Sequence, residues 1–406
     1  MTATDAHRAV RDGERPTLRV VWSTELLAYD FGFGHPMTSD RIDLTIALAA
    51  QLGLLEGDGV EVVGADPASD AVLATVHDPA YVDAVHAAAE RGVPDLVRGL
   101  GTRDDPLFPQ MHDAAARIVG GTLDAALAVW QGRAEHAVNV GGGMHHARPG
   151  AASGFCVYND AAVAIRALLE QGARRVAYVD VDAHHGDGVQ AVFWDDPRVL
   201  TVSVHETGHA LFPGTGYPTE TGGPRADGTA VNVALPSHTG DAGWLRAIDA
   251  VVPAVVREFQ PDVLVTQHGC DTHRMDPLAT LRVSVDGQRV AAALLHDLAH
   301  EVCDGRWVAL GGGGYATLDV VPRTWSHLIG IAAHRPVDPR TPVPQVWLDV
   351  VRQRYGHAAV PEMTDHEAAV FRPWSGGYDP ADDVDRAVRA TRGAVFPSLG
   401  LDPDLD

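Results

Sequence analysis

Residues 175–188 read RVAYVDVDAHHGDG, an apolar run that passes directly into three aspartates and two histidines. The apolar half is typical of a buried strand, and burying so many ionisable groups at its end is costly unless something compensates them. If the strand continues, Asp180, Asp182 and His184 point to one face, because side chains alternate with period two. Two carboxylates and an imidazole that converge indicate a bound cation, and these ligand types suit zinc or a similar divalent ion.

The rest of the chain alternates similar apolar runs with helical patterns. Leucines from Leu44 to Leu55 share one helical face, with Ser39 or Asp40 as the N-cap. The predicted strands cover residues 18–22, 136–140, 175–180, 199–205, 262–268 and 306–310. Most of them are apolar along their whole length, as strands buried on both faces of a parallel sheet are. This alternation predicts an α/β fold with a single open, doubly wound, mainly parallel sheet flanked by helices.

Composition and charge restrict the class of protein. The 406 residues are 46% hydrophobic, which is enough for a large globular core. A net charge of -23 would repel nucleic acid and anionic lipid, although it could also serve solubility alone. The three cysteines form no CxxC pair, which fits a reducing compartment. With no signal peptide and no bilayer-spanning apolar run in the sequence, we expect a cytoplasmic protein with no membrane or nucleic-acid partner.

Three segments are predicted along the chain. Residues 1–16 are expected to form a disordered N-terminal tail. Residues 17–331 contain every predicted strand and form the main domain. Residues 332–406 become rich in proline and then acidic, so we expect a C-terminal extension that packs on the main domain.

Polar clusters follow five predicted strands, each at the carboxyl end of its strand. The clusters are NVGGGMHHARPG, VDVDAHHGDG, SVHETG, QHGCDTH and GGGGY, which start at residues 139, 179, 203, 267 and 311. Open α/β sheets bind their ligands outside the carboxyl ends of the strands, so the five clusters predict one active site. Asp271, from the fourth cluster, is then the natural third metal ligand, which leaves one position open for water.

Two adjacent histidines beside this metal suit acid–base catalysis. His145 and His146 follow three glycines that let the backbone approach a ligand closely. Such rings act as acids or bases when carboxylates orient them, and Asp180 and Asp187 are available for this. Asp187 could instead cap the helix that follows it.

Tyr315 follows four glycines and could donate a hydrogen bond to a developing oxyanion. Taken alone, a glycine-rich loop could equally bind phosphate. No GKS or GKT follows these glycines, which excludes a P-loop, and GGGMHH lacks the GxGxxG spacing of a dinucleotide site.

These motifs together carry a family resemblance. GGGMHHARP, SGFCVYND, VDVDAHHGDG, FPGTG, HGCDTHRMDP and GGGGY closely resemble the zinc-dependent histone deacetylases of the arginase/deacetylase superfamily. FGFGHPMTSDR and GLGTRDDPLF most resemble the bacterial acetoin-utilisation branch. The resemblance runs from about residue 18 to about residue 330, with the motifs in the family's order. It implies an arginase/deacetylase-type fold, a catalytic domain over 17–331, and hydrolysis of the acetyl amide of N-epsilon-acetyl-lysine in proteins or peptides.

The resemblance also implies a role for each matching residue. The zinc ligands would be Asp182, His184 and Asp271, with Fe²⁺ as a possible substitute for Zn²⁺. The catalytic residues would be His145, His146, Asp180, Asp187 and Tyr315. The substrate-binding residues would be Asp104 (with Asp105 beside it), Gly154, Phe155, Phe212 and Leu278. A structural K⁺ would be bound through Asp180, Asp182, His184, Ser203 and Val204.

The implied mechanism has alternatives. Metal-assisted hydrolysis would use His146 to move a proton from water to the leaving amine, His145 for electrostatic support and Tyr315 to polarise the carbonyl. Arginase-like hydrolases bind two manganese ions, but Gly186 and Gly269 stand where their pattern has aspartates. An acetylpolyamine amidohydrolase would use the same site on another substrate. A module that only binds acetyl-lysine would not need both histidines and the tyrosine.

Overall fold

The computed structural model describes residues 17–405, so the tail expected at 1–16 lies outside the described residues. Eight strands form one sheet in the order β2-β1-β3-β8-β7-β4-β5-β6. Every neighbouring pair is parallel. The strands are β1 (Leu18–Val21), β2 (Val60–Val63), β3 (His136–Asn139), β4 (Val176–Asp180), β5 (Val199–Glu206), β6 (Ala230–Leu235), β7 (Val263–Gln267) and β8 (Trp307–Leu310).

The predicted α/β class is confirmed, and all six predicted strands are present. Two strands were missed, and both lie at the edges of the sheet. β2 is a four-residue strand whose residues are only partly buried or exposed, so it lacks the apolar run of a central strand. β6 is longer and mostly buried, but Asn232 interrupts its apolar sequence.

Helices cover both faces of the sheet. They are α1 (Asp40–Gln51), α2 (Asp70–Leu73), α3 (Pro79–Arg91), α4 (Met111–Trp130), α5 (Asp160–Glu170), α6 (Asp187–Phe193), α7 (Asp241–Phe259), α8 (Val285–Cys303), α9 (Val321–Ala332), α10 (Gln345–Tyr355) and α11 (Asp383–Leu399). Strand side chains alternate between two hydrophobic cores, so Val179 packs in the core of α1, α7, α8 and α9, and Tyr178 in the core of α3, α4 and α5. The sheet is therefore doubly wound, as predicted.

The helix predicted after Ser39 is α1, and Ser39 is its N-cap residue. Its side chain does not cap the helix, however, because the hydroxyl donates to Asp30 Oδ2 at 2.8 Å. The helix also ends earlier than the leucine pattern suggests, with Leu52 as its C-cap and Leu55 beyond it. Local periodicity located this helix, and a tertiary hydrogen bond changed the role of its first residue.

The residues after α9 form two α-helices and a short 3₁₀ helix (Trp374–Gly376), and both α-helices contact the sheet domain. Trp347 of α10 donates its indole N–H to the Leu44 carbonyl at 3.0 Å. Asp385 of α11 forms a buried ion pair with Arg246 of α7. Division of the chain into a domain over 17–331 and an extension over 332–406 stays a prediction. Within residues 17–405, no helix has the length and apolar character needed to cross a bilayer.

Candidate active site

Four of the five polar clusters lie together at the carboxyl ends of four strands. These strands are consecutive in the sheet, in the order β3, β8, β7 and β4. The fifth cluster, SVHETG, follows β5, the next strand in the sheet, and none of its residues lines the cavity described below. His205 is fully buried and its Nε2 contacts the Gly216 carbonyl at 2.9 Å. Glu206 accepts hydrogen bonds from Ser237 and Thr280. These two residues hold loops rather than face the cavity.

The three predicted metal ligands converge at one point. His184 Nδ1 lies 2.9 Å from Asp271 Oδ2 and 3.2 Å from Asp182 Oδ1. All three side chains are buried, and one ligand atom from each lies within 4.8 Å of the other two. Two carboxylates and an imidazole in this arrangement fit one zinc-like divalent ion with a position left open.

The route by which these ligands converge differs from the predicted one. β4 ends at Asp180, so Asp182 and His184 lie in a loop and not on a continued strand. The Asp180 carboxylate accepts the N–H of Asp182 at 3.1 Å, and the Asp182 carboxylate accepts the N–H of His184 at 2.9 Å. Asp182 and His184 therefore converge with Asp271, as predicted, although the strand does not continue to them, and Asp180 contacts His145 instead.

Two glycines leave no room for the ligands of a second metal. A Cβ atom on Gly269 would lie 1.9 Å from Asp182 Oδ2. A Cβ atom on Gly186 would lie 2.4 Å from Asp180 Oδ2. Aspartates at these positions would displace the residues of the existing site, so the backbone favours a single metal.

His145 and His146 form two separate ring–carboxylate pairs. His145 Nδ1 lies 2.7 Å from Asp180 Oδ2, and His146 Nδ1 lies 2.7 Å from Asp187 Oδ1. Burial alone would lower the pKa of His145, but the charges of Asp180 and Asp182 raise it to about 9. Burial and the neighbouring charge of His145 lower the pKa of His146 to about 4. The two rings therefore lie in different electrostatic environments, and that of His146 favours the neutral form, which can accept a proton.

Asp187 orients His146 and does not cap a helix. It is the first residue of α6, but its carboxylate accepts from Arg148 Nη2 at 2.7 Å as well as contacting His146. Burial opposes ionisation here, yet the hydrogen bonds from His146 and Arg148 lower the pKa of Asp187 to about 2. The alternative of a capping role is therefore wrong.

Tyr315 is held over the metal ligands by its own loop. Gly313 donates its N–H to Asp182 Oδ2 at 2.7 Å, and Tyr315 donates its N–H to Asp276 Oδ2 at 2.7 Å. A Cβ atom on Gly313 would lie 2.0 Å from Asp271 Oδ2, so the close approach requires glycine. Burial and the charge of Asp271 raise the pKa of Tyr315 well above its usual value. The phenol therefore stays protonated and can donate a hydrogen bond.

These groups line one cavity of about 790 Å³, including its open mouth. All five predicted substrate-binding residues line it too, namely Asp104, Gly154, Phe155, Phe212 and Leu278. The Phe155 ring lies edge-on to Tyr315 at 5.7 Å, and the Phe212 ring lies edge-on to His146 at 5.0 Å. A Cβ atom on Gly154 would lie 2.5 Å from the His146 ring, which explains the glycine. The cavity is thus apolar along its walls and polar at its base.

The structure distinguishes the two aspartates at the rim. Asp104 is exposed and lines the cavity. Asp105 is buried, and burial together with the charge of Asp104 raises its pKa to about 8. Only Asp104 is placed to meet a substrate.

Of the five residues predicted to bind K⁺, three lie on the neighbouring strands β4 and β5, whereas Asp182 and His184 lie in the loop that follows β4. Asp180 and Ser203 are direct partners in the β4–β5 pairing, and Val204 follows Ser203 on β5. The Ser203 hydroxyl contacts His205 Nδ1 at 2.8 Å.

Three residues that hold the site together were not singled out from the sequence. Arg41 of α1 donates to the carbonyls of Gly312 and Gly314 in the tyrosine loop. Asp160 accepts the N–H of Met144 and so holds the loop that leads into His145 and His146. Asp276 anchors Tyr315, as described above. All three fall inside quoted motifs, Arg41 as the last residue of FGFGHPMTSDR, and this was the available signal. The partner of Arg41 lies 271 residues away along the chain.

Comparisons with known proteins agree with this geometry. The family model of the histone deacetylase domain matches residues 35–332. An acetoin utilization protein of Bacillus subtilis is 40% identical over 356 residues, which cover 87% of this chain and 91% of that protein. Its counterpart in Staphylococcus xylosus is 36% identical over 82% of this chain and 86% of that protein.

Solved structures show the same fold. A histone deacetylase homolog complexed with SAHA has a TM-score of 0.79 at 26% identity, over 93% of this chain and all of that one. A homolog from Aquifex aeolicus has a TM-score of 0.80 at 25% identity, over 92% of this chain and all of that one. With a family model matched over most of the sheet domain and relatives covered nearly end to end, the chain belongs to the histone deacetylase family, where its relatives include the bacterial acetoin utilization proteins.

Proposed function

We propose that this hydrolase removes the acetyl group from N-epsilon-acetyl-lysine in proteins or peptides, with a zinc ion bound at Asp182, His184 and Asp271. The observation that carries the proposal is the shape of the cavity. Its walls include Phe155 and Phe212, and its base holds the three ligands beside a proton acceptor and a phenol. A four-carbon lysine stem suits such walls, and the acetyl amide would reach the base.

Substrate would be positioned by apolar and polar contacts at different depths. The lysine stem would lie against Phe155 and Phe212, which exclude water from around it. Leu278 would contact the substrate near the mouth. Asp104 is exposed there, and its carboxylate could accept a backbone N–H of a peptide. A polyamine would instead offer ammonium groups to the same carboxylate, so turnover of the two substrates must decide between them.

The chain's own residues account for the proton transfers. When bound, a divalent ion in this site would act as a Lewis acid on the acetyl carbonyl and lower the pKa of a water molecule. His146, neutral and held by Asp187, would take the proton as water adds to the carbonyl carbon. The same ring would then give the proton to the lysine nitrogen as the C–N bond breaks, releasing acetate and a free amine. Tyr315 would donate to the carbonyl oxygen, and protonated His145 would stabilise the negative charge.

The donor set supports zinc, and Fe²⁺ suits the same nitrogen and oxygen ligands. We also propose a structural K⁺ behind the site, bound through Asp180, Ser203, Val204 and the main chain at Asp182 and His184. A monovalent cation there would offset the carboxylate of Asp180, which is buried with no exposed surface. This cation would hold the loop between β4 and α6 in place.

The substrate proposal is tested by comparing turnover of an acetyl-lysine peptide with that of N-acetylputrescine. We expect a higher kcat/KM for the peptide, and we expect Asp104→Ala to lower kcat/KM for the peptide more than for the polyamine. Asp66→Ala, an exposed aspartate outside the cavity, is the matched control. A strong preference for the polyamine, unaffected by Asp104→Ala, would replace this proposal with polyamine deacetylation.

A further inference from the structure

Four histidines meet at the end of the sheet opposite the active site, where the strands begin. His136 is the first residue of β3, and His296 and His300 lie on the last two turns of α8. His334 follows α9 by two residues. We call these four residues the histidine cluster. Active sites of parallel sheets lie at the carboxyl ends of the strands, whereas this cluster lies at an amino-terminal end.

The four rings are arranged almost as a regular tetrahedron. The six distances between their centroids all lie between 4.6 and 5.3 Å. One nitrogen from each ring lies within 4.8 Å of the other three. With Zn–N bonds of about 2.0–2.1 Å, four imidazoles on a tetrahedral ion would have nitrogens roughly 3.3 Å and centroids roughly 5 Å apart. The observed spacing is that of rings around a common centre.

Hydrogen bonds outside the cluster direct the nitrogens inward. His136 Nδ1 lies 2.7 Å from the Ala332 carbonyl, so Nδ1 carries the hydrogen and Nε2 keeps its lone pair. That Nε2 is buried without a hydrogen-bond partner, on a side chain with no exposed surface. His296 Nδ1 likewise lies 3.2 Å from the Asp297 carboxylate. In metal-binding histidines, one ring nitrogen donates its hydrogen to an oxygen outside the site, and the lone pair of the other nitrogen binds the metal.

The inner nitrogens of the helical pair face each other. His296 Nε2 and His300 Nε2 are 3.2 Å apart, close to the nitrogen spacing on a tetrahedral ion. The pair has i, i+4 spacing, which puts both rings on one face of α8, as in helical zinc sites. Glu135 lies outside the rings, with its carboxylate 4.0 Å from His300 Nδ1 and 3.6 Å from His334 Nε2. Its negative charge favours a cation in the cluster.

We propose that the histidine cluster is a second metal site, which binds a divalent first-row transition ion of the zinc type through four imidazoles. Neutral imidazole suits zinc, and the absence of carboxylate ligands in the cluster disfavours magnesium and calcium. His300 and His334 are 34% and 40% exposed at their side chains, which gives the ion a path from solvent. The ion has a structural role, because it links β3, α8 and the segment that follows α9.

The test counts zinc bound to the full chain after removal of all metal with a chelator and dialysis against Zn²⁺. We expect two zinc ions per chain for the unaltered protein and one for the double variant His296→Gln, His300→Gln. That double variant should keep its deacetylase activity, because the cluster lies at the opposite end of the strands from the active site. His366→Gln, an exposed histidine outside the cluster, is the matched control and should keep two ions.

A second set of variants keeps the test informative if the His296→Gln, His300→Gln variant does not fold. In an Asp182→Asn, Asp271→Asn background, where the active site is disabled, we expect one remaining zinc and a Tm that rises when zinc is added. Adding His334→Gln, at a half-exposed position, should weaken zinc binding at least about tenfold and reduce the rise in Tm. No zinc in the Asp182→Asn, Asp271→Asn background, or two zinc ions in the His296→Gln, His300→Gln variant, would overturn the proposal.

Discussion

The Tyr315 hydroxyl is expected to contribute to catalysis far more than to binding, because it donates to charge that develops only in the transition state. Its phenol stays protonated, and its ring is fixed by Asp276 through the backbone and by contact with Phe155. Tyr315→Phe should therefore lower kcat about 100- to 1,000-fold, with little change in KM. Steady-state kinetics on an acetyl-lysine peptide measure this, with the exposed Tyr378→Phe as control. An unchanged kcat would contradict a catalytic role for the Tyr315 hydroxyl.

The basicity of His146 depends on Asp187, which raises the pKa of His146 against the larger effects of burial and of His145. Asp187→Asn should lower this pKa further, so the fall in kcat/KM on the acid side should move to lower pH. The plateau should drop about 100-fold or more, because the ring becomes a weaker base. A pH profile of kcat/KM measures both effects, with Asp195→Asn, a surface aspartate paired with Arg225, as control. If the acid side of the kcat/KM profile moved to higher pH instead, the assignment of His146 as the base would be contradicted.

At the scale of elements, Asp365 connects the residues after α9 to the loop that carries Asp271. Its carboxylate lies 2.7 Å from His273 Nε2 and accepts from Arg323 at 2.9 Å. Removing one partner of a buried ion pair leaves an uncompensated charge, so Asp365→Ala should lower the free energy of unfolding by roughly 3 kcal/mol. Denaturant unfolding measures the loss, and the exposed Asp338→Ala should change little. A change below 1 kcal/mol for Asp365→Ala would show that this contact does not hold the two segments together.

The contacts of Asp365 also make the stability of the protein depend on pH. Burial raises the pKa of Asp365, but the hydrogen bond from His273 and the charge of Arg323 outweigh it and lower this pKa well below its usual range. The stabilisation is therefore complete above the pKa of an unfolded aspartate, about 4, and is lost as the pH falls below it. Asp365→Ala should be less sensitive to acid over that range than the unaltered chain.

Over the whole molecule, the sequence predicted what depends on local pattern and on strand direction. Apolar runs located the central strands, and parallel strands bring their carboxyl ends to one edge, which is why Asp182, His184 and Asp271 could be grouped. The missed strand β2 carries no long apolar run. Arg41 ends a quoted motif, but its role was missed because its contacts with the glycines before Tyr315 span about 270 residues of the chain. The histidine cluster was missed for the same reason, since only His296 and His300 are near each other in the chain.

The central claim concerns one metal ion at the base of the cavity, and acetate release from an acetyl-lysine peptide tests it most directly. Activity is measured on the full chain, after exhaustive chelation, and after zinc is added back. The account predicts that chelation abolishes acetate release, that zinc restores it, and that Asp182→Asn, Asp271→Asn is inactive under all three conditions. Acetate release at an unchanged rate from the metal-free chain would contradict it.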